Sequence, residues 1–222
     1  MKHSKIKSAG GFSLVELMVV LVIIALLSAF AMMSFGSEKL YDADKQTLAI
    51  IDLLHEARQR SLSQRKTMRV EINVTRNSIR LIDENRPNDS SDDVEIKSAV
   101  YRNNGVFIGT LPSNMTDNPT ELSPVPPIAF TTSNHPLSAS DSVATMRFLR
   151  NGTVHNAGSN AVGTGSIATG ATIYVWSKFP EDNSATPTTG QIFRAITVVG
   201  TTGSSRLWKC SMTSGDCSDW NN

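Results

Sequence analysis

The chain has 222 residues and a formal net charge of +1; 40% of its residues are hydrophobic and 18% are charged. This length indicates one folded domain with appended segments, and the balanced charge gives no global basic excess of the kind that nucleic-acid-binding chains carry. Its two cysteines form no CxxC pair and its four histidines are scattered, which argues against a zinc site. We expect no cofactor.

An apolar segment follows a short basic N-terminus. No residue from Leu17 to Phe35 carries a formal charge, and a helix of that length spans about 30 Å, the thickness of one hydrocarbon core. Basic residues before the segment orient the N-terminus to the cytoplasm and place the bulk of the chain across the inner membrane. The sequence therefore predicts a single membrane-spanning helix over residues 12–36.

Three kinds of segment share this pattern. One is a plain membrane anchor, and another is a secretory signal peptide, for which residues 29–31 offer a small-x-small cleavage site. The third is suggested by GGFSLVEL at residues 10–17, which resembles the class III signal of type IV prepilins. In those proteins a peptidase cuts after a glycine on the cytoplasmic side, and the apolar helix stays on the mature chain.

The carboxylate of Glu16 distinguishes these interpretations. Placing it in a bilayer costs about 2.5–3.5 kcal/mol, and neither an anchor nor a signal peptide gains from it. Cleavage between Gly11 and Phe12 would create an amine one helical turn from Glu16, within the same subunit or presented by a neighbour. The resemblance implies the same assignment: residues 1–11 are a cleaved leader, Phe12 is the N-methylated residue, and Glu16 acts in assembly.

An amphipathic pattern begins after Gly36. Small and apolar residues recur every three to four positions, which predicts one buried helix face within a stem over residues 37–66. The residues of this face are Leu40, Ala43, Thr47, Ile50, Leu54, Ala57 and Ser61. We expect one continuous helix from Phe12 to about Gln64, with its charged residues on a solvated side.

The periodicity changes to two at Thr67, which predicts an antiparallel β-sheet head over residues 67–222 and an α+β fold. The predicted strands are Met68–Val74, Ser78–Ile82, Ala99–Ile108, Thr145–Leu149, Thr153–His155, Ala171–Lys178 and Gln191–Val199. Residues 75–77 are predicted to form a turn, and Asn151-Gly152 predicts a hairpin with positive φ at both residues. The polar segments 83–97, 109–142, 156–170 and 180–190 are predicted to be loops.

Three segments of the stem and head resemble GspH/FimT-type minor pilins and pseudopilins. They are LLHEARQRSLSQRKTMRVEI at 53–72, FLRNGTVHNAG at 148–158 and RAITVVGTTGSSRLWKC at 194–210. The resemblance implies a type IV pilin-like fold, in which a long helix packs on an antiparallel sheet. It also implies the partners: other major and minor pilins or pseudopilins, the prepilin peptidase and an inner-membrane assembly platform.

Motifs that carry catalysis are missing from the sequence. It contains no nucleophile elbow, HExxH pair, P-loop or dinucleotide fingerprint, so we do not expect an enzyme. Residues 88–93 offer carboxylates that suit calcium, but they lack the spacing and the glycine of an EF-hand loop. We interpret them as a solvated acidic loop.

The C-terminal residues allow two interpretations. Cys210 and Cys217 have six residues between them, and we expect them to form a disulfide in an oxidising compartment. Arg206 and Lys209 flank Trp208, and basic residues interleaved with an aromatic residue can hold DNA through phosphate contacts and stacking. Some FimT-like minor pilins bind DNA through a basic C-terminal motif. The alternative is a strand whose apolar residues pack in the head.

Together these patterns predict a minor pilin of a type IV pilus, placed at or near the filament tip, that primes assembly for adhesion and twitching motility. The long loops favour an exposed tip component. The alternatives are a minor pseudopilin of a type II secretion system and a DNA-binding minor pilin for natural transformation. Before assembly, we expect a single-pass protein of the bacterial inner membrane with a cytoplasmic N-terminus and a periplasmic head.

Overall fold

The structure is a computed structural model of the chain. It describes residues 13–86, 89–101, 105–109, 112–113, 115, 128–156, 166–167, 170–179, 189–213 and 216–221. The chain consists of two compact units, Met1–Glu38 and Lys39–Asn222.

The helix α1 covers Leu14–Gln64, and no proline interrupts it. Ser13 caps its N-terminus, because the Ser13 Oγ accepts a hydrogen bond from the Glu16 backbone N–H at 3.3 Å. At the other end, Arg65 has a φ of 55°, the left-handed conformation that commonly ends a helix. The prediction of one long helix ending near Gln64 is confirmed.

The described strands form two antiparallel sheets. They are β1 (Thr67–Asn73), β2 (Ser78–Glu84), β3 (Val94–Val100), β4 (Val106–Gly109), β5 (Thr131–Thr132), β6 (Ser142–Phe148), β7 (Val154–Asn156), β8 (Ser166–Ile167), β9 (Gly170–Lys178), β10 (Gly190–Val199), β11 (Ser205–Thr213) and β12 (Asp216–Asn221). The first sheet has the order β3-β2-β1-β6-β7-β8, with β5 beside β6, and the second has the order β12-β11-β10-β9-β4. The α+β class is confirmed.

The main hydrophobic core joins the second half of α1 to one face of each sheet. The helix contributes Ala43, Ile50, Leu53, Leu54 and Ala57. Fully burying a leucine or isoleucine side chain stabilises a fold by about 1.5–3 kcal/mol, so this stripe holds the helix on the sheets. Leu40, which was predicted on the buried face, is 42% exposed, because the helix enters the core only from Ala43 onward.

A smaller core lies on the opposite face of the second sheet. Successive strand residues point to opposite faces, so Ile173 and Val175 of β9 join the main core while Tyr174 and Trp176 join the smaller one. The smaller core contains Met115, Tyr174, Trp176, Phe193, Ala195, Trp208 and Cys217. Both faces of this sheet are therefore buried along its central strands.

Some of the predicted boundaries in the head are wrong, and the short strands β5 and β8 lie in segments predicted to be loops. The segment predicted as one strand over 99–108 is divided between β3 and β4, which lie in different sheets, and Gly105 between them has a φ of +79°. In addition, the predicted loop 83–97 contains most of β3. This edge strand is held by backbone pairing with β2, and its side chains are largely exposed. Val94 and Ile96 alternate with Glu95 and Lys97, a signal of a strand that the prediction missed.

The β1–β2 and β6–β7 hairpins are confirmed, but the second turn has a different conformation from the predicted one. Gly152 has a φ of +84°, whereas Asn151 does not have a positive φ. The connection is longer than the predicted two residues, and the Gly152 N–H donates to the Leu149 carbonyl at 2.8 Å. The Asn151 Oδ1 instead accepts from the Thr153 N–H at 3.1 Å, which fixes this residue without a positive φ.

Segments of the helix α1 and of the head meet around Gly203, in the turn between β10 and β11. The Arg58 Nε of α1 donates to the Thr202 carbonyl at 2.8 Å, and the Val154 N–H of β7 donates to the Gly200 carbonyl at 2.7 Å. Gly203 has a φ of +65°, and a Cβ atom there would lie 2.6 Å from the Gly152 carbonyl oxygen. Only glycine satisfies both the conformation and the close approach.

Gly203→Ala is therefore expected to lower the free energy of unfolding by about 1–3 kcal/mol. Urea unfolding of the full chain in detergent, followed by tryptophan fluorescence, measures this loss, because all three tryptophans lie after residue 170. Gly105→Ala is the matched control, since Gly105 also has a positive φ but a Cβ atom added there would meet nothing within 4 Å. Equal losses in the two variants would show that the close approach has no energetic effect.

Candidate functional site

The predicted processing site lies at the boundary of the described chain. Gly11 and Phe12 are outside the described residues, and Ser13 is the first residue inside them. Glu16 lies in the first turn of α1 and is exposed. The structure therefore gives no distance between Glu16 and an amine at Phe12. The role of Glu16 in assembly remains a prediction.

Glu16 also has a local role that the sequence reasoning missed. Ser13 is the N-cap, and Glu16 is the third helical residue, which gives the S-x-x-E spacing of a capping box. A carboxylate in the first turn also interacts favourably with the helix dipole, by about 0.3–1 kcal/mol at an exposed position. The spacing of Ser13 and Glu16 was the signal in the sequence.

The described N-terminal part of α1 exposes its apolar side chains on every side. All residues from 13 to 28 are exposed. The large apolar ones are Leu14, Val15, Leu17, Met18, Val19, Val20, Leu21, Val22, Ile23, Ile24, Leu26 and Leu27. A helix that is apolar all round requires apolar surroundings.

The membrane span predicted over residues 12–36 is not confirmed. Among the described residues, no helix is identified as long and apolar enough to cross a membrane. Phe12 lies outside the described residues.

The C-terminal hairpin contains the predicted disulfide. Cys210 in β11 and Cys217 in β12 are bonded, with 5.8 Å between their Cα atoms. Cys217 is fully buried in the smaller core. The strand β12 is the edge of the second sheet and pairs only with β11 among the described strands. The disulfide therefore fixes β12 to its neighbour.

The two basic residues considered for DNA binding are not brought together. Arg206 and Lys209 are three positions apart on the regularly paired part of β11, so their side chains leave opposite faces of the strand. The Arg206 guanidinium lies 5.6 Å from the centre of the Trp208 ring. Trp208 is itself buried, and its indole N–H donates to the Thr197 hydroxyl at 3.0 Å, which favours the packed-strand alternative. DNA binding stays an untested prediction.

The outer face of β1, β2 and β6 is a buried layer of charged side chains that the sequence reasoning did not predict. Arg147 Nε donates to Glu84 Oε1 at 2.6 Å, and Arg69 Nη1 donates to the same oxygen at 3.4 Å. Arg80 pairs with Glu71, and the Ser138 hydroxyl donates to the other Glu71 oxygen at 2.8 Å. The alternation along β1 indicated a polar face but not its burial.

Burial affects the ionisation of this layer. It raises the pKa of the Glu84 carboxyl, while the positive charge of Arg147 opposes that rise. It also lowers the pKa of the Arg69 guanidinium, which lies near the second cation, Arg147. The carboxylate of Glu84 therefore offsets two buried positive charges at once.

A groove of about 470 Å³ opens beside this layer, at the C-terminal end of α1. Its lining comes from the helix end, the end of β2 and the β6–β7 connection: Arg65, Lys66, Thr67, Glu84, Asn85, Leu149, Arg150 and Asn151. Three of these residues are exposed cations, whereas Glu84 is buried. Sequence reasoning did not find the groove, because its residues are separated by up to 86 positions along the chain.

The acidic loop considered for calcium is engaged internally. Arg86 pairs with Asp89 at 3.0 Å and with Asp92 at 2.6 Å, and Asn88 lies outside the described residues. Within the described part of the chain, no group of three histidine, cysteine, aspartate or glutamate side chains is arranged to hold a metal ion.

Residues 6–32 match the family model of the prokaryotic N-terminal methylation motif. This match supports a type IV pilin-like protein. The matched segment includes Gly11, Phe12 and Glu16, and such a signal implies processing by a prepilin peptidase and assembly with other pilins. No curated protein and no solved structure matches the chain, so its resemblance to GspH/FimT-type proteins is not confirmed.

Proposed function

We propose that the chain is a minor pilin of a type IV pilus that primes filament assembly at or near the tip. The observation that carries this proposal is the methylation motif over residues 6–32, with Glu16 as the fifth residue after the Gly11–Phe12 bond. Its role is non-enzymatic. The protein stays in the inner membrane, with its head in the periplasm, until it is incorporated into a filament.

The proposed mechanism depends on one charge in an apolar helix. Cleavage removes the basic leader and creates an amine at Phe12, which is then N-methylated. Glu16 lies one turn away and pairs with this amine or with that of a neighbouring subunit. The exposed apolar residues between 14 and 28 pack among neighbouring helices, where the unpaired carboxylate would be unfavourable. The pair therefore sets the axial register of the subunit.

Glu16→Gln is expected to leave cleavage intact and to reduce incorporation into filaments at least about tenfold, since glutamine keeps the capping-box geometry but lacks the charge. Quantitative immunoblots of sheared filaments and of membranes measure both effects. Asp52→Asn, at an exposed carboxylate in the second half of α1, is the matched control. Normal recovery of the Glu16 variant in filaments would overturn the proposed role of the charge.

A deletion strain distinguishes the pilus from the type II secretion pseudopilus. We expect sparse or missing surface pili with normal release of secreted enzymes. Normal pili with blocked secretion would assign the protein to the pseudopilus. Both processes remaining normal would contradict a role in priming either filament.

A further inference from the structure

The groove at the end of α1 has unbalanced positive charge. Lys66 is held by Asp83 at 2.8 Å and by the Asn85 side-chain oxygen at 2.9 Å. Arg65 and Arg150 are exposed, and neither makes an ion pair with the described residues of the chain. Two guanidinium groups on one groove suit carboxylates, which they bind through paired N–H donors.

The conformation of Arg65 supports a role for its side chain. A left-handed conformation costs a residue with a Cβ atom about 1–2 kcal/mol, and helices commonly place glycine at this position. Arg65 has a φ of 55° immediately after the last helical residue. The fold therefore contains an unfavourable backbone conformation at the residue that places a guanidinium, that of Arg65, at the groove.

Glu84 adds a hydrogen-bond acceptor to the groove. Glu84 is one of the residues that line the groove. Its side chain is 2% exposed, and its Oε2 has no hydrogen-bond partner within the described residues. A buried carboxylate oxygen is stabilised by an N–H donor. A ligand that offers both carboxylates and N–H groups therefore complements the exposed guanidinium groups of Arg65 and Arg150 as well as the buried Glu84 oxygen.

We propose that this groove binds an acidic peptide segment of a partner protein, with its carboxylates on Arg65 and Arg150 and a peptide N–H toward Glu84. A nucleic-acid backbone is a poorer fit, because its phosphates are acceptors and offer no N–H donor to Glu84. The inference does not depend on the proposed pilus role, since the groove lies wholly within the second unit.

Fluorescence anisotropy of a labelled hexaglutamate peptide tests the proposal with the full chain in detergent. The double variant Arg65→Gln/Arg150→Gln is expected to bind the peptide about tenfold more weakly, or worse, than the wild type, because two charge-assisted contacts are lost. Arg206→Gln removes the same kind of exposed charge outside the groove and should leave binding unchanged. Arg150→Gln alone, which does not alter the helix end, should give an intermediate loss.

Three outcomes would overturn the proposal. The first is that the wild type does not bind the peptide. The second is that the double variant and Arg206→Gln bind it equally well. The third is that a single-stranded oligothymidylate of the same charge binds more tightly than the peptide and loses its affinity in the double variant. That result would assign the groove to nucleic acid instead.

Discussion

Glu84→Ala is expected to lower the free energy of unfolding of the head by about 3–5 kcal/mol, the range found when one partner of a buried ion pair is removed. Glu84 is 2% exposed and accepts hydrogen bonds from two guanidinium groups, those of Arg147 and Arg69, which are fully buried. Without this carboxylate, both cations stay in a region of low dielectric constant and lose the negative charge that faces them.

Urea unfolding followed by tryptophan fluorescence measures this loss. Glu95→Ala is the matched control, because Glu95 lies 3.3 Å from Arg80 and its side chain is 35% exposed. An ion pair with one solvent-exposed partner contributes less, about 1 kcal/mol, and Arg80 keeps its buried partner Glu71. If the Glu84 and Glu95 variants lose equal stability, the buried charge layer does not stabilise the head as described.

Gly11→Val is expected to abolish processing, so that the chain keeps its first eleven residues. The predicted scissile bond follows Gly11, and a branched side chain would occupy the space next to that bond in the peptidase. Unprocessed chain carries no free amine at Phe12, so Glu16 lacks its proposed partner and the subunit stays out of filaments. Intact-mass measurement of the purified membrane protein distinguishes the two forms.

Gly36→Val provides the control for this prediction, because the same substitution is made within α1 and far from the bond. We expect its mass to correspond to the shortened chain with a methylated N-terminus. A shortened Gly11→Val product would show that cleavage occurs elsewhere, and the class III interpretation of residues 10–17 would then be wrong.

The helix and the centres of both sheets were predictable from the sequence. A spacing of three to four residues marked the buried stripe of α1, since that stripe faces a single core. Alternation with a period of two marked β1 and β2, and the glycine of Asn151-Gly152 marked the β6–β7 hairpin. Hydrophobic burial determines the stripe and the strand alternation directly, and the positive φ of Gly152 determines the turn.

The remaining features depend on pairing between distant residues. The strand β3 is formed by backbone hydrogen bonds at an edge, where its side chains are largely exposed. Arg69 and Glu84 in the buried layer are charged residues of the kind found on a solvated face, and nothing in their local pattern indicates that they are buried. The groove combines Arg65 with Arg150 through the β6–β7 connection, a juxtaposition that no local pattern contains.

The position of β1 has a consequence for mechanical load. The strand follows α1 after two residues and pairs with β2 through seven residue pairs and with β6 through six. A pulling force transmitted along the helix therefore enters the head at a strand that is hydrogen-bonded on both sides. Extracting β1 would require breaking two ladders together, so the head resists tension at the point where the helix joins it.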